Sequence, residues 1–242
     1  MTELRGKKAL VTGAAGGIGQ AIVKQLQAEG VTVTGSDRTE ANADYHITGN
    51  LMDADFCDSL PGQAEELMGG LDILINNAGV ITRGAITEST DEDLKRTMAI
   101  NVEAPFRLCR AAIPLMAENG GGAIVNTSSC WGVHPGPNHP VYVMSKAAVA
   151  SLTQCLGMDH AHQNIRVNAV CPNEVNTPMI RTGFETRGLD PDKAIEELNA
   201  SVPLGRIAEP EDIADVVVFL ASDKARYLCG SLIEVNGGKP VQ

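Results

Sequence analysis

A short apolar run, a glycine-rich turn and an amphipathic helix follow one another over residues 8–29. That order restricts the fold more than any other stretch of the chain. Lys8 to Val11 reads as a buried strand, Thr12-Gly-Ala-Ala-Gly-Gly-Ile-Gly19 as the turn, and Gln20 to Glu29 as a helix with Ile22, Val23 and Leu26 on its sheet-facing side. Glycines let backbone approach a pyrophosphate, and a helix N-terminus favours its negative charge. The spacing is Gly13-x3-Gly17-x-Gly19 rather than G-x-G-x-x-G. A lone glycine-rich turn can also be simply a tight loop.

Val31 to Ser36 predicts a second strand ending at Asp37. A carboxylate there accepts hydrogen bonds from the adenosine ribose hydroxyls and repels a 2′-phosphate, which favours NAD over NADP. Arg38 follows at once and supplies a cation able to meet such a phosphate; a loop or capping role for Asp37 is the simpler alternative. Further strands are expected at Leu71–Ile75, Ala123–Thr127, Arg166–Val170 and Leu232–Val235. Helices are expected near Ala54–Met68, Asp91–Ala117, Val141–Ala161 and Glu211–Ala221. This alternation specifies an α/β fold, one doubly wound parallel sheet with helices on both faces. Asp37 to Asn50 is too short for a crossover helix and is expected to cross as a loop or single turn. Asn173 to Pro210 is polar and proline-containing, and reads as a lid over a site. The whole chain, residues 1–242, is expected to form one domain.

Composition narrows the function classes. A net charge of −11 argues against nucleic-acid and anionic-membrane partners. No signal peptide or membrane span is evident, and the six scattered cysteines contain no CxxC pair, so a cytoplasmic protein with reduced thiols is expected. Five histidines give no zinc signature, and no metal is expected.

Tyr142 and Lys146 lie four residues apart in a predicted helix, on one face and one turn apart. A phenol titrates near pH ~10, and a fixed cation beside it favours phenolate, making a proton-transfer pair. Tyr-x3-Lys recurs by chance in many helices. Here Ser129 precedes it at the end of an apolar run, and the glycine turn opens the chain.

Taken together the motifs resemble the short-chain dehydrogenase/reductase family over nearly the whole chain: TGAAGGIG at 12–19, NNAG at 76–79, Asn101, Ser129, Tyr142 with Lys146, and the 172–177 region. The resemblance implies a Rossmann sheet of about seven strands, NAD(P)-dependent oxidation of CH–OH groups or reduction of the matching carbonyls, and a homotetramer. It implies that Tyr142 is the acid-base, that Lys146 lowers its pKa and binds the nicotinamide ribose, that Ser129 holds the substrate oxygen, and that Asn101 anchors a relay water. Ser129 is preferred to Ser128 because the family serine commonly lies thirteen residues before the tyrosine, with a glycine three places after it, here Gly132. Gly13, Gly17, Ile18, Gly19, Asp37, Asn50, Leu51, Asn77, Ala78, Gly79, Tyr142, Lys146, Pro172, Val175 and Thr177 would contact the cofactor. One departure is Asn173, where the family has glycine. Asparagine tolerates positive φ better than most residues, so the turn is expected to survive with a polar side chain near the nicotinamide.

The substrate pocket is expected to involve Ser129, Tyr142, Trp131, His139 and Asn173, with Thr82, Arg83, His134, Glu174 and Arg181 nearby. That polar set with one large aromatic points to a small polar substrate: a hydroxy acid, sugar acid or polyol. An NADPH-dependent ketoreductase of the 3-oxoacyl-carrier-protein type, a dihydrodiol dehydrogenase and a non-catalytic dinucleotide sensor are the alternatives.

Overall fold

The computed structural model describes residues 4–239. Its strands are β1 (Lys8–Thr12), β2 (Thr32–Asp37), β3 (Tyr45–Thr48), β4 (Ile73–Asn76), β5 (Gly122–Thr127), β6 (Ile165–Pro172) and β7 (Leu232–Val235). The helices are α1 (Gly17–Ala28), α2 (Ala54–Met68), α3 (Asp91–Met98), α4 (Ala104–Glu118), α5 (Cys130–Val133), α6 (Pro140–His160), α7 (Pro178–Glu185), α8 (Pro191–Ser201) and α9 (Pro210–Ala221). The strands form one seven-stranded sheet in the order β3-β2-β1-β4-β5-β6-β7. All pairs are parallel. This is the expected doubly wound sheet.

Side-chain alternation along the strands builds two cores. Ala9 and Val11 of β1 and Ile73 and Ile75 of β4 face α1 and α9, meeting Ile22, Leu26, Val217 and Leu220. Leu10 and Leu74 face the other way, against Leu60 of α2 and Leu108, Ala112 and Met116 of α4. Covering both faces explains why the central strands are apolar without a polar side. Each fully buried leucine contributes roughly 1.5–3 kcal/mol.

Beyond β1 the chain runs outward through β2 and β3, then returns to the opposite side of β1 with β4. The reversal opens a crevice at the carboxyl ends of β1 and β4, where open α/β sheets bind ligands.

Four local features differ from the sequence-based expectations. The 37–50 segment is not only a crossing loop, because it contains β3, paired from Thr34↔Tyr45 to Asp37↔Thr48. The helix expected over 91–117 is interrupted by a π turn, Ala99–Glu103, between α3 and α4. Within 173–210 the chain forms α7 and α8. Asn173 does not use positive φ, which among described non-glycine residues occurs at Asn138 and Asn164. Its N–H instead donates to Val235 O at 3.1 Å, which holds the backbone against β7. Residues 1–3 and 240–242 of the expected 1–242 domain lie outside the described residues. No described helix is long and apolar enough to cross a membrane.

Candidate active site

Side chains are kept out of the turn after β1. Gly13 has φ +65°, and a Cβ there would stand 2.8 Å from Ala78 Cα. A Cβ on Gly19 would strike the Gly13 carbonyl, and one on Gly17 would lie 3.1 Å from Thr177 Cγ2. No side chain caps the first turn of α1, so the N–H groups around Gly17 and Ile18 are oriented for an outside acceptor. An uncapped helix start behind a side-chain-free cradle fits the diphosphate of a dinucleotide.

Neighbouring strand ends hold this cradle in place. Asn77 Nδ2 donates to Thr12 O and Gly13 O, both at 3.2 Å, while Asn77 N and Ala78 N donate to Thr12 Oγ1 at 3.2 Å. At the end of β2, Asp37 accepts from Ala15 N at 3.1 Å and from Arg38 N at 2.6 Å. Its carboxylate therefore sits at the mouth of the turn, with exposed Arg38 beside it. Asn50 closes a local turn by accepting from Met52 N at 3.1 Å, and Leu51 leans on the core beneath α2. Pro172 ends β6, and Val175 is buried and bridged to Ala208.

The proton-transfer pair lies on α6, which begins with Pro140 at its first turn, where a missing N–H costs nothing. Lys146 Nζ donates to Thr127 O at 2.8 Å and lies 5.8 Å from the centre of the Tyr142 ring. Gly79 comes so close that a Cβ on it would be 3.2 Å from Nζ. Burial lowers the Lys146 pKa to about 8. Tyr142 is shifted the other way: burial raises its pKa, while the Ser129 hydroxyl and the Arg83 charge pull it down. The expectation that Lys146 lowers the phenol is thus not met in the chain by itself, because desolvation dominates and the ammonium is directed at Thr127.

Ser128 and Ser129 separate by geometry. Ser128 Oγ donates to Lys146 O at 2.8 Å and pins α6. Ser129 caps α5 by accepting from Trp131 N at 3.2 Å, and its Oγ donates weakly to Pro172 O at 3.4 Å. A Cβ on Gly132 would stand 2.7 Å from the Lys146 carbonyl group, so α5 and α6 touch at backbone distance. The π turn aims Asn101 inward, as single π turns often do at functional sites. Asn101 Nδ2 donates to Val80 O at 2.9 Å and Ser145 Oγ at 3.0 Å, and Oδ1 accepts from Val80 N at 2.8 Å. Its side chain is therefore fully engaged in fixing the segment after Gly79 to α6.

A buried polar chain, which the sequence did not point to, docks α6 onto the sheet. Asn76 donates to Asn126 at 2.8 Å, Asn126 to Thr153 at 2.9 Å, and Thr153 to Val149 O at 2.8 Å. An asparagine at or next to the end of each of two adjacent apolar strands, Asn76 of β4 and Asn126 of β5, was the available signal.

The residues expected around the substrate divide. Trp131 stacks at a tilt on His139, with ring centres 4.4 Å apart. His139 Nδ1 bonds to Pro137 O at 3.0 Å, so this nitrogen is the donor and neutral His139 presents Nε2 as an acceptor. Burial lowers the His139 pKa. Several others are committed elsewhere: His134 to Glu234, Glu174 to Lys239, Arg181 to Asp192, and Thr82 to Thr97. Arg83 has no ion pair or side-chain hydrogen bond among the described residues.

The sequence profile of a family described as Enoyl-(Acyl carrier protein) reductase matches residues 13–239. The chain is 34% identical to a 3-oxoacyl-acyl-carrier-protein reductase of Thermotoga maritima, over 98% of each chain. It is 37% identical to a 3alpha-hydroxysteroid dehydrogenase of Mediterraneibacter gnavus, over 97% of each. Ligand-free aldohexose dehydrogenase of Thermoplasma acidophilum superposes with a TM-score of 0.94 at 32% identity, covering 100% of this chain and 96% of that one. The parallel seven-stranded sheet with its crevice between β1 and β4 is of Rossmann type, and the similar proteins place the chain among oxidoreductases acting on CH–OH groups. The chain belongs to the short-chain dehydrogenase/reductase family.

Proposed function

We propose that this protein is an NAD-dependent dehydrogenase that transfers hydride between the secondary alcohol or ketone of a small polar substrate and nicotinamide. The substrate class is a hydroxy acid, sugar acid or polyol. The observation that carries this reading is the convergence of Tyr142, Ser129 and Lys146 beside a side-chain-free glycine turn with Asp37 at its mouth.

When bound, nicotinamide supplies the hydride acceptor for oxidation and the donor for the reverse reaction. Gly13, Gly17, Ile18 and Gly19 would hold the pyrophosphate, and Asp37, Asn50 and Leu51 the adenosine half. Asn77, Ala78, Gly79, Pro172, Val175 and Thr177 would line the nicotinamide half, with Lys146 on its ribose. Tyr142 in its phenolate form takes the hydroxyl proton, and Ser129 donates to the substrate oxygen as it gains charge. Asn101, its side chain bonded to Val80 and Ser145, would anchor the relay water. Trp131 and His139 form one wall, and residues 173–210 act as the lid.

An NADPH-dependent ketoreductase is the second reading, favoured by exposed Arg38 beside the adenosine position. Against it, a 2′-phosphate next to Asp37 costs roughly 1–3 kcal/mol, about ten- to a hundredfold in affinity. Titration of both oxidised cofactors decides between them, and tighter binding of NADP would remove the NAD assignment. Tyr142→Phe tests the chemistry: kcat should fall at least ~100-fold with NAD affinity nearly unchanged. A near-normal rate in that variant would end the hydride-transfer reading.

A further inference from the structure

Between the loop after β4 and α7 lies a cavity of about 680 Å³, lined by Arg83, Gly84, Pro178, Met179, Thr182, Gly183, Thr186 and Arg187. Two arginines, Arg83 and Arg187, are among its lining residues. Arg83 reaches across to Gly183, where an added Cβ would stand 2.5 Å from its Nη2. Arg187, two residues past the end of α7, donates from Nε to Gly183 O at 3.0 Å and covers the Phe184 ring at 4.9 Å. Those contacts engage its Nε edge and its flat face, and both Nη groups stay without a protein partner among the described residues. Neither arginine makes an ion pair there, whereas Arg107, Arg110, Arg181 and Arg206 all do. The charges of Arg83 and Arg187 act on each other, and Arg83 also acts on Tyr142.

Two like charges brought together without a carboxylate cost energy that an anion between them reverses. Guanidinium forks also match carboxylate geometry better than ammonium groups do. The surrounding loop is held in place, since Gly84 N donates to Asn138 O at 2.8 Å, next to His139. A neutral His139 with Nε2 free to accept suits a substrate hydroxyl rather than a second anion.

We infer that Arg83 and Arg187 bind a carboxylate of the substrate, so that the enzyme selects hydroxy acids over neutral polyols of the same carbon chain. The pair joins the catalytic loop to the lid: Arg83 follows β4, and Arg187 lies just past α7. The inference rests on the proposed dehydrogenase site and narrows its substrate class. Gly183 serves the arrangement by leaving room for Arg83, which explains a glycine within an eight-residue helix.

The test compares acids with their neutral counterparts: gluconate with glucitol, galactonate with galactitol, lactate with propane-1,2-diol. The chain has one tryptophan, Trp131, so its fluorescence reports binding at the site without turnover. NADH formation is followed separately. In the wild-type chain at least one acid should bind about 10-fold or more tightly than its counterpart. Arg83→Gln and Arg187→Gln should each weaken acid binding by about 10-fold or more, and the double variant should lose the preference. NAD affinity should be unchanged, which also shows that the variants fold, and Arg83→Lys should retain part of the preference. Absence of acid preference in the wild-type protein, or its survival in the double variant, overturns the inference. Acids that bind without forming NADH would leave the anion site standing and remove the dehydrogenase reading. Equal NADH formation from acids and neutral polyols would do the reverse.

Discussion

At the scale of the residue, Lys146 makes a conflict measurable. It is 4% exposed, and burial lowers its pKa from 10.5 to about 8. Below pH 8 the folded chain carries a buried ammonium that the unfolded chain keeps hydrated, and this costs stability. Between pH 8 and 10.5 the unfolded state binds more protons, so stability rises with pH across that window; above it both states are neutral and the cost is gone. Lys146→Met lacks this contribution but leaves Thr127 O without its donor. In urea unfolding of the chain without cofactor, the wild-type protein should therefore gain on Lys146→Met as pH rises from 7.5 to 10, by up to a few kcal/mol. Parallel stability curves would show that the ammonium is not desolvated. Retaining so costly a group supports its proposed contact with the nicotinamide ribose.

At the scale of the element, the site depends on how closely α5 and α6 approach. Gly132→Ala would place a Cβ 2.7 Å from the Lys146 carbonyl carbon and oxygen, backbone atoms that cannot turn aside. Overpacking of this kind costs about 1–3 kcal/mol, and here it also displaces Ser129 from Tyr142. The variant should unfold at lower urea concentration and lose kcat together with some NAD affinity, because the backbone that carries Lys146 is displaced; unaltered stability and kcat would contradict the contact. Elements marked by a long apolar pattern are legible in the sequence, whereas the four-residue α5 is not. Sequence reasoning anticipated β1, β4, β5 and the Tyr142–Lys146 face because buried parallel strands and a 21-residue helix leave strong patterns. It missed β3 because Tyr45-His-Ile-Thr48 is a four-residue, half-exposed edge strand with no apolar run. It missed the π turn because one extra residue barely disturbs the apolar period between Met98 and Ala104. Arg187 was hidden for another reason: in sequence it is one more charge in a polar lid, and only folding brings it to Arg83.

At the scale of the whole molecule, α4 and α6 each turn one face to the sheet and leave apolar side chains on the other. Phe106 is 49% exposed, Met144 49% and Met158 76%. Ala147 and Ala148 are partly exposed small residues that allow close helix approach, whereas Ala150 is buried within its own chain. Scattered apolar residues are normal on a surface, but repetition along two long helices is what a helix-to-helix interface requires. A two-fold axis brings the same face of each helix against its copy, and two such axes give a tetramer. Light scattering at micromolar concentration should return four times the 25.5 kDa chain mass. Phe106→Asp and Met158→Asp should each lower that mass, because a carboxylate buried without a partner in an apolar contact is costly to desolvate. Their Tyr142 site lies on the opposite, sheet-facing flank, so NAD binding should persist in any smaller species that stays folded. A monomeric wild-type protein, or variants with unchanged mass, would remove these two helices from the interface.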